Sequence, residues 1–509
     1  MNFYQFEKQL SLIEENHKIF NPKFCDLPLW LIVKRALDVR IVRKITTGER
    51  DSFYRILMVR NFQILRFLYN SIISFLKWKF FLPIQKSSTK KIALLMLLGN
   101  RRYLYENKYY KEPFVEDVFI SDQSDFDTFV IDSLKGQKRE KQIIKKAHLR
   151  ENFLSFPFSF FCPLSAQIKK EINTALNEII SIIATELKGQ EDLLNIIVEQ
   201  LKSRILYNKI KEFYVQYKIY QWFLKKLTPF IILLSSSEGY LGLIGAAKKM
   251  KIPVIEFQHG IIDEYHPVYR WPKYLKDYKA NMLVADKLFL FGKYWSDQLL
   301  KSGFWSNNEL IIIGNSKFSE KKEKITNKRL EYKKGEVIKI LFTTAPYFKD
   351  ISIDFLNEVI VLLITKNILF KLNIKLHPSE DAKKNYINLQ QKFPQYCQVV
   401  SHQEKDIYDM FIENHVHLSL YSAAIFESFE LGIPTIIFGP IGKELFKQLI
   451  KDGFFKHYDT PKGFTSFIIN IFNDELNWKK FMNKTQENSE YFYSDYLFSK
   501  KLEYIKQYV

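Results

Sequence analysis

The residues that could do chemistry in this 509-residue chain gather in three short clusters, each at or just past the end of an apolar run. The first is Gln258-His-Gly260, after residues 254–257, with Asp263, Glu264 and His266 close behind, so four ionisable groups fall within eight residues. Gln258 and His259 offer hydrogen bonds and a group that titrates near neutral pH, while Gly260 permits close backbone approach. The second is Lys375-Leu-His-Pro378. Proline ends a sheet ladder, and His377 beside it can donate to a phosphate, or it is an ordinary histidine at a strand end. The third runs from Ser422 to Pro434, with Ser422 where a helix should begin. Its hydroxyl and the unbonded N–H groups there make an anion site, or a plain helix cap.

Glu427 lies one turn further along, within reach of ribose hydroxyls, and Thr343 with Thr344 closes the apolar run 337–342 and joins the same donor-binding set. Glu238, in Ser235-Ser-Ser-Glu-Gly239, reads either as a general base for an acceptor hydroxyl or as a carboxylate favoured by a helix N-terminus. No second ligand pair at helical spacing supports a metal at these clusters, so none is expected. Asp125-Phe-Asp127 has the form of a metal-binding Asp-x-Asp, but it precedes a strand instead of ending one. Neither Gly-x-x-x-x-Gly-Lys nor Gly-x-Gly-x-x-Gly occurs, and no cofactor is expected.

Polar clusters at the carboxyl ends of buried strands belong to an open parallel sheet, whose ligands bind at that edge. Residues 92–98, 128–132, 230–234, 253–257, 287–291 and 310–313 read as strands of one half, and 337–342, 370–376, 415–420 and 435–438 as strands of another. Strands alternating with helices argue for parallel pairing. The expected fold class is therefore α/β, with two Rossmann-like domains facing a cleft and an N-terminal helical extension. The expected bounds are 1–88 for the extension, 89–318 for the first domain with a helical insertion over 165–226, 337–461 for the second, and 462–509 for C-terminal helices. The charged residues 317–336 read as the connection between domains.

A net charge of +20 fits an anionic membrane surface, nucleic acid or an acidic small substrate. The basic residues are dispersed and no nucleic-acid motif occurs, so no nucleic acid is expected. Cys25, Cys162 and Cys397 lie far apart without disulfide or zinc spacing, which suits a reducing cytoplasm. The N-terminus lacks the basic and apolar regions of a signal peptide. Residues 61–82 are rich in Phe, Leu, Ile and Trp, but Arg66, Lys77 and Lys79 leave an uncharged stretch well short of the ~20 residues a spanning helix needs. That run reads as a helix in the interface of an anionic membrane, or as one packed on the body with snorkelling Lys and Arg at its rim. The expected location is the cytoplasm, peripheral at the inner face of the plasma membrane.

Taken together, Gln258-His-Gly260, Ile313-Gly-Asn315, Lys375-x-His-Pro378 and Ser422 with Glu427, Gly432 and Pro434 resemble bacterial GT-B glycosyltransferases of capsule and lipopolysaccharide biosynthesis. The likeness is to sialyltransferase-like and Kdo-transferase-like groups, and more distantly to glycerophosphate transferases of teichoic acid synthesis; it covers roughly residues 230–440. The resemblance implies that His377, Pro378 and Ser422 hold the nucleotide phosphate of a CMP-activated sugar. It implies a first domain for a glycan or glycolipid acceptor, with Gln258, Gly260 and His266 in its cleft. Bacterial sialyltransferases carry an acidic-acidic-Gly motif for the base. Here Ser237-Glu-Gly239 has one acidic position, so Glu238, Asp263 and His259 all stand as catalytic candidates beside His377. Transfer of a polyol phosphate from a CDP-alcohol, and a non-catalytic nucleotide-sugar-binding scaffold in polysaccharide assembly, are the alternatives.

Overall fold

The structure, a computed structural model, describes residues 3–34, 37, 90–98, 103–105, 109–121, 125–133, 149–150, 163–263, 266, 268–325, 331–345, 348–377, 386–401, 404–486 and 491–509. The apolar run 61–82, Cys162, Glu264 and Pro378 lie outside the described residues. The chain divides into two compact units. The first comprises residues 1–290, 295–313 and 497–509, and the second residues 291–294 and 314–496.

The first unit is built on a seven-stranded parallel sheet of β1 (Lys91–Leu98), β2 (Phe126–Ser133), β3 (Leu149–Arg150), β4 (Ile231–Leu234), β5 (Val254–Phe257), β6 (Lys287–Leu290) and β7 (Leu310–Ile312). Its spatial order is β7-β6-β5-β4-β1-β2-β3. Every residue of β4 and β5 is buried, which is why β4 reads as a continuous apolar run and β5 as one broken only by Glu256. Among the described residues between β3 and β4 are three helices, α1 (Ala166–Glu186), α2 (Glu191–Leu201) and α3 (Arg204–Leu227). Ser165 and Ser203 cap α1 and α3 by accepting from the N–H groups of Ile168 and Leu206. The connection from β4 to β5 is α4 (Leu241–Lys249), which packs closely on α3 because Gly242 lets it approach Gln216 and Tyr217.

The N-terminal segment belongs to this unit. Helix Phe3–Glu14 brings the buried Glu14 to Lys34 at 2.8 Å and to the indole N–H of Trp30 at 2.7 Å. The short antiparallel pair Lys23–Phe24 and Leu27–Pro28 is a departure from the all-helical extension expected. The last helix, Phe498–Lys506, also belongs to the first unit, where the buried Lys501 pairs with Asp117 and donates to the Phe114 carbonyl.

The second unit holds a six-stranded parallel sheet of β8 (Ile338–Thr343), β9 (Phe370–Lys375), β10 (Cys397–Val400), β11 (Val416–Ser419), β12 (Thr435–Phe438) and β13 (Lys456–Tyr458), in the order β10-β9-β8-β11-β12-β13. Both sheets run outward from their first strand in one direction and then resume on its other side. This is the order of a doubly wound Rossmann sheet, with a switch point between β1 and β4 in one unit and between β8 and β11 in the other. The fold class is thus α/β with two Rossmann-like units, as expected. The charged residues 317–336 are not a plain connection: α5 (Ser316–Ile325) occupies their first half, within the second unit, with Phe318 and Ile325 buried. Asn315 starts this helix by accepting from the Phe318 N–H at 3.0 Å.

Candidate functional site

In the second unit, Thr344, His377 and Ser422 all follow the carboxyl ends of β8, β9 and β11, the three strands around the switch point. Register fixes this: Thr343 lies opposite Lys375 on one side and Ser419 on the other. The buried Thr344 hydroxyl accepts from the His377 N–H at 2.8 Å, so the loop after β9 is tied to the end of β8 while the His377 side chain is exposed. Ser422 accepts from the Ala424 N–H at 3.2 Å, just ahead of the helix α6 (Ala424–Glu430). The helix begins two residues later than expected, with Ala423 in the capping position.

Three residues do other work than anticipated or do it alongside partners not foreseen. Thr343, expected among the donor-binding residues, is turned into the unit's interior: its hydroxyl lies 2.8 Å from His417 Nε2 and donates to the Ser419 hydroxyl at 2.9 Å. A hydroxyl so engaged, on a residue only 5% exposed, is part of the core. Glu427 accepts from the Tyr408 hydroxyl at 3.1 Å, and burial raises its pKa while Lys317 pulls it back down. Lys317 also stands over the Tyr408 ring at 5.1 Å. Lys375 is buried and donates to the carbonyls of Ser401 and Lys405, and burial lowers its pKa to about 8. A cavity of about 310 Å³ opens beside β10, lined by Asn373, Gln390, Glu404, Lys405 and Glu413 among others. None of the expected site residues lines it.

In the first unit the ends of β4 and β5 are adjacent, since Leu234 pairs with Glu256. This brings together Glu238, which follows β4, and Gln258-His-Gly260, which follows β5. Gln258 is buried, and its side-chain amide donates to the Gly260 carbonyl at 2.9 Å, which fixes the turn of the motif. A Cβ added to Gly260 would meet nothing within 4 Å, so packing within the chain does not demand glycine there. His266 accepts at Nδ1 from the Val268 N–H at 3.3 Å and lies against the Tyr269 ring, with centroids 4.7 Å apart. Asp263 is in the same loop, its carbonyl accepting from the His266 N–H at 3.4 Å.

Two residues here escaped the sequence reading. Glu256, inside β5, is 1% exposed, and its Oε1 accepts from both the Ser237 N–H at 2.8 Å and the Tyr269 hydroxyl at 2.7 Å. The same Tyr269 oxygen lies 3.3 Å from His259 Nδ1. Burial raises the Glu256 carboxyl to about 7; the Ser237 and Tyr269 donors oppose the rise, and the charge of Glu238 adds to it. The signal available in the sequence was a lone glutamate in a strand buried on both faces, since an acid there must find partners.

Among the described residues no group of three His, Cys, Asp or Glu is placed to hold a metal ion, and no helix is long and apolar enough to cross a membrane.

No family model matches this chain, and no curated protein matches it. Among solved structures it is similar to UDP-GlcNAc 2-epimerase from Neisseria meningitidis bound to UDP-GlcNAc, at 15% identity over 82% of this chain and 99% of that one, TM-score 0.48. It is also similar to MurG of Acinetobacter baumannii, at 11% identity over 79% and 96% of the two chains, TM-score 0.39. A third similarity is to TarM, at 14% identity over 58% of each chain, TM-score 0.38. Identities this low leave the chemistry to be argued from the chain's own residues.

Proposed function

We propose that this protein is a glycosyltransferase that moves a sugar from a nucleotide donor, CMP-activated, to a growing cell-surface polysaccharide or lipopolysaccharide at the inner face of the plasma membrane. The observation that carries the reading is the gathering of Thr344, His377 and Ser422 at the switch-point edge of the second unit's sheet, where doubly wound sheets receive nucleotides. In this reading His377, Pro378 and Ser422 hold the phosphate, Thr344 fixes the His377 loop, and Glu427 takes ribose hydroxyls. The sugar's anomeric carbon is attacked by an acceptor oxygen. Its bond to the phosphate oxygen breaks, with the electron pair leaving on the nucleotide.

The first unit supplies the group that takes the acceptor's proton, drawn from Glu238, Asp263 and His259, while Gln258, Gly260 and His266 belong to the acceptor side. His377, Ser422 and the nearby backbone N–H groups stabilise the departing phosphate electrostatically, without a divalent cation. The excess of positive charge supports work at an anionic membrane.

A panel of CMP, CDP, UDP, GDP and ADP in a thermal-shift assay tests this reading, because a ligand that binds the folded form raises its midpoint. A rise with CMP or CDP that disappears in His377→Ala is expected. No rise with any nucleotide, with acceptor glycan present or absent, overturns the donor assignment. Turnover of CDP-glycerol in place of a CMP-sugar would assign the site to polyol-phosphate transfer.

A further inference from the structure

We infer that Glu256 and Tyr269 form a buried relay that holds His259 in the tautomer carrying its proton on Nδ1, so that Nε2 is the basic nitrogen offered to the acceptor hydroxyl. Nothing about His259 alone decides this, since a neutral imidazole carries its proton on either nitrogen. The decision is made one residue deeper. With the carboxyl ionised, as it is above about pH 7, Glu256 Oε1 accepts from two donors, the Ser237 N–H and the Tyr269 O–H. The phenol has one hydrogen, and it is committed to Oε1 at 2.7 Å. Toward His259 Nδ1, 3.3 Å away, the phenol oxygen is therefore an acceptor, and Nδ1 must supply the proton.

The scaffold holds each member of this relay independently of any ligand. Glu256 sits within β5, between β4 and β6. Tyr269 is 2% exposed, and its carbonyl accepts from the Trp305 indole N–H at 2.8 Å. Gln258 closes the turn that carries His259.

The catalytic use of the relay rests on the glycosyltransferase reading. As the acceptor oxygen bonds to the anomeric carbon, its proton passes to His259 Nε2 and the sugar–phosphate bond breaks. The imidazolium that forms still donates through Nδ1 to Tyr269, with the Glu256 carboxyl behind it. Glu256 and Tyr269 are thus positioning residues and His259 is the general base, in preference to Glu238 and Asp263.

The test is ¹⁵N NMR of the full-length protein labelled at histidine, with the His259 signals assigned by their loss in His259→Gln. The expected result is an Nδ1–H tautomer in the native protein and its loss in Tyr269→Phe, which keeps the ring and removes the oxygen. Glu256→Gln, which retains both acceptor contacts at Oε1, should keep the native tautomer and checks the relay should Tyr269→Phe fail to fold. An Nε2–H tautomer in the native protein, or an unchanged one in Tyr269→Phe, overturns the relay. With donor and acceptor supplied, Tyr269→Phe should lower kcat about 100-fold with the donor KM unchanged, the scale of a misplaced general base; an unchanged kcat overturns its catalytic use. If the tautomer behaves as expected and no donor is turned over, the relay stands and the glycosyltransferase reading falls.

Discussion

Replacing Glu256 by Gln should make the first unit less sensitive to alkali. In the fold this carboxyl titrates at about 7, against 4.5 ordinarily, chiefly because burial disfavours its charged form. Between those two pH values the folded state binds a proton that the unfolded chain has released. Stability contributed by this residue is therefore full below 4.5 and declines as pH rises through 7. At about 1.4 kcal/mol per tenfold change in proton affinity, the loss reaches about 3 kcal/mol by mildly alkaline pH. Gln keeps an oxygen to accept from Ser237 and Tyr269 but cannot ionise, so the variant should lack this decline. Urea unfolding followed by tryptophan fluorescence reads the effect locally, because Trp271 and Trp305 donate to the Val268 and Tyr269 carbonyls in the same loop. The stability difference between native protein and variant should move by about 3 kcal/mol in the variant's favour from about pH 4.5 to 8.5. A difference that stays level across that range refutes burial of an ionisable Glu256.

The opposite sign is expected for His417 in the second unit, whose burial lowers its pKa to about 3 from 6.5. It is neutral in the fold and charged in the unfolded chain between those values, so stability is intact above 6.5 and falls by a few kcal/mol as pH drops toward 3. His417→Gln should flatten that acid limb in urea titrations. Lys501→Ala leaves Asp117 without its buried cation and should cost about 3 kcal/mol, read by urea unfolding and by faster amide exchange in helix Phe498–Lys506. Adding Asp117→Asn to it should restore part of the loss. Gly242→Ala places a Cβ 2.6 Å from the Gln216 Cβ and 2.8 Å from the Tyr217 nitrogen, so α4 must move away from α3. A loss of about 2 kcal/mol in urea unfolding is expected, and native stability in that variant would mean the two helices have room to spare.

The central strands of both sheets were legible in the sequence because parallel strands covered on both faces are largely continuous apolar runs; β1, β4 and β12 show it, and β5 shows it around Glu256. The edge strands β10 and β13 were not. β10 is the four residues Cys-Gln-Val-Val with Gln398 exposed, and β13 is the three residues Lys-His-Tyr. Each is too short and too polar for a periodic signal. Charge hid α5, where eight of the ten residues are Ser, Glu or Lys and only Phe318 and Ile325, seven positions apart, mark the face that is buried. Of the site, the strand-end clusters were visible because a polar residue after an apolar run is a local pattern. The link from Glu256 to Tyr269 spans thirteen positions and depends on how the loop after β5 returns, which no spacing rule specifies.

Burial of a titratable group does not by itself mark a functional site, and this chain contains the comparison that shows why. His417 and Glu256 are both fully buried, both on central strands, and both shifted toward their neutral forms. The His417 bonds run to Thr343 at Nε2 and to Ser428 at Nδ1, 2.7 Å away, and Ser428 continues to Thr435. Every member of that set is buried and belongs to β8, β11, β12 or α6. It closes on itself and holds the elements together, so its loss should appear as instability. The Glu256 bonds run through Tyr269 to His259, a half-buried residue in the turn beyond β5. One end is anchored in the sheet and the other reaches the edge where ligands bind in folds of this class. Removing the Tyr269 oxygen from the middle of that chain is then expected to reach the tautomer of a group at that edge. Which part of the fold a hydrogen-bond chain reaches, more than how strongly its members are shifted, separates a strut from a relay.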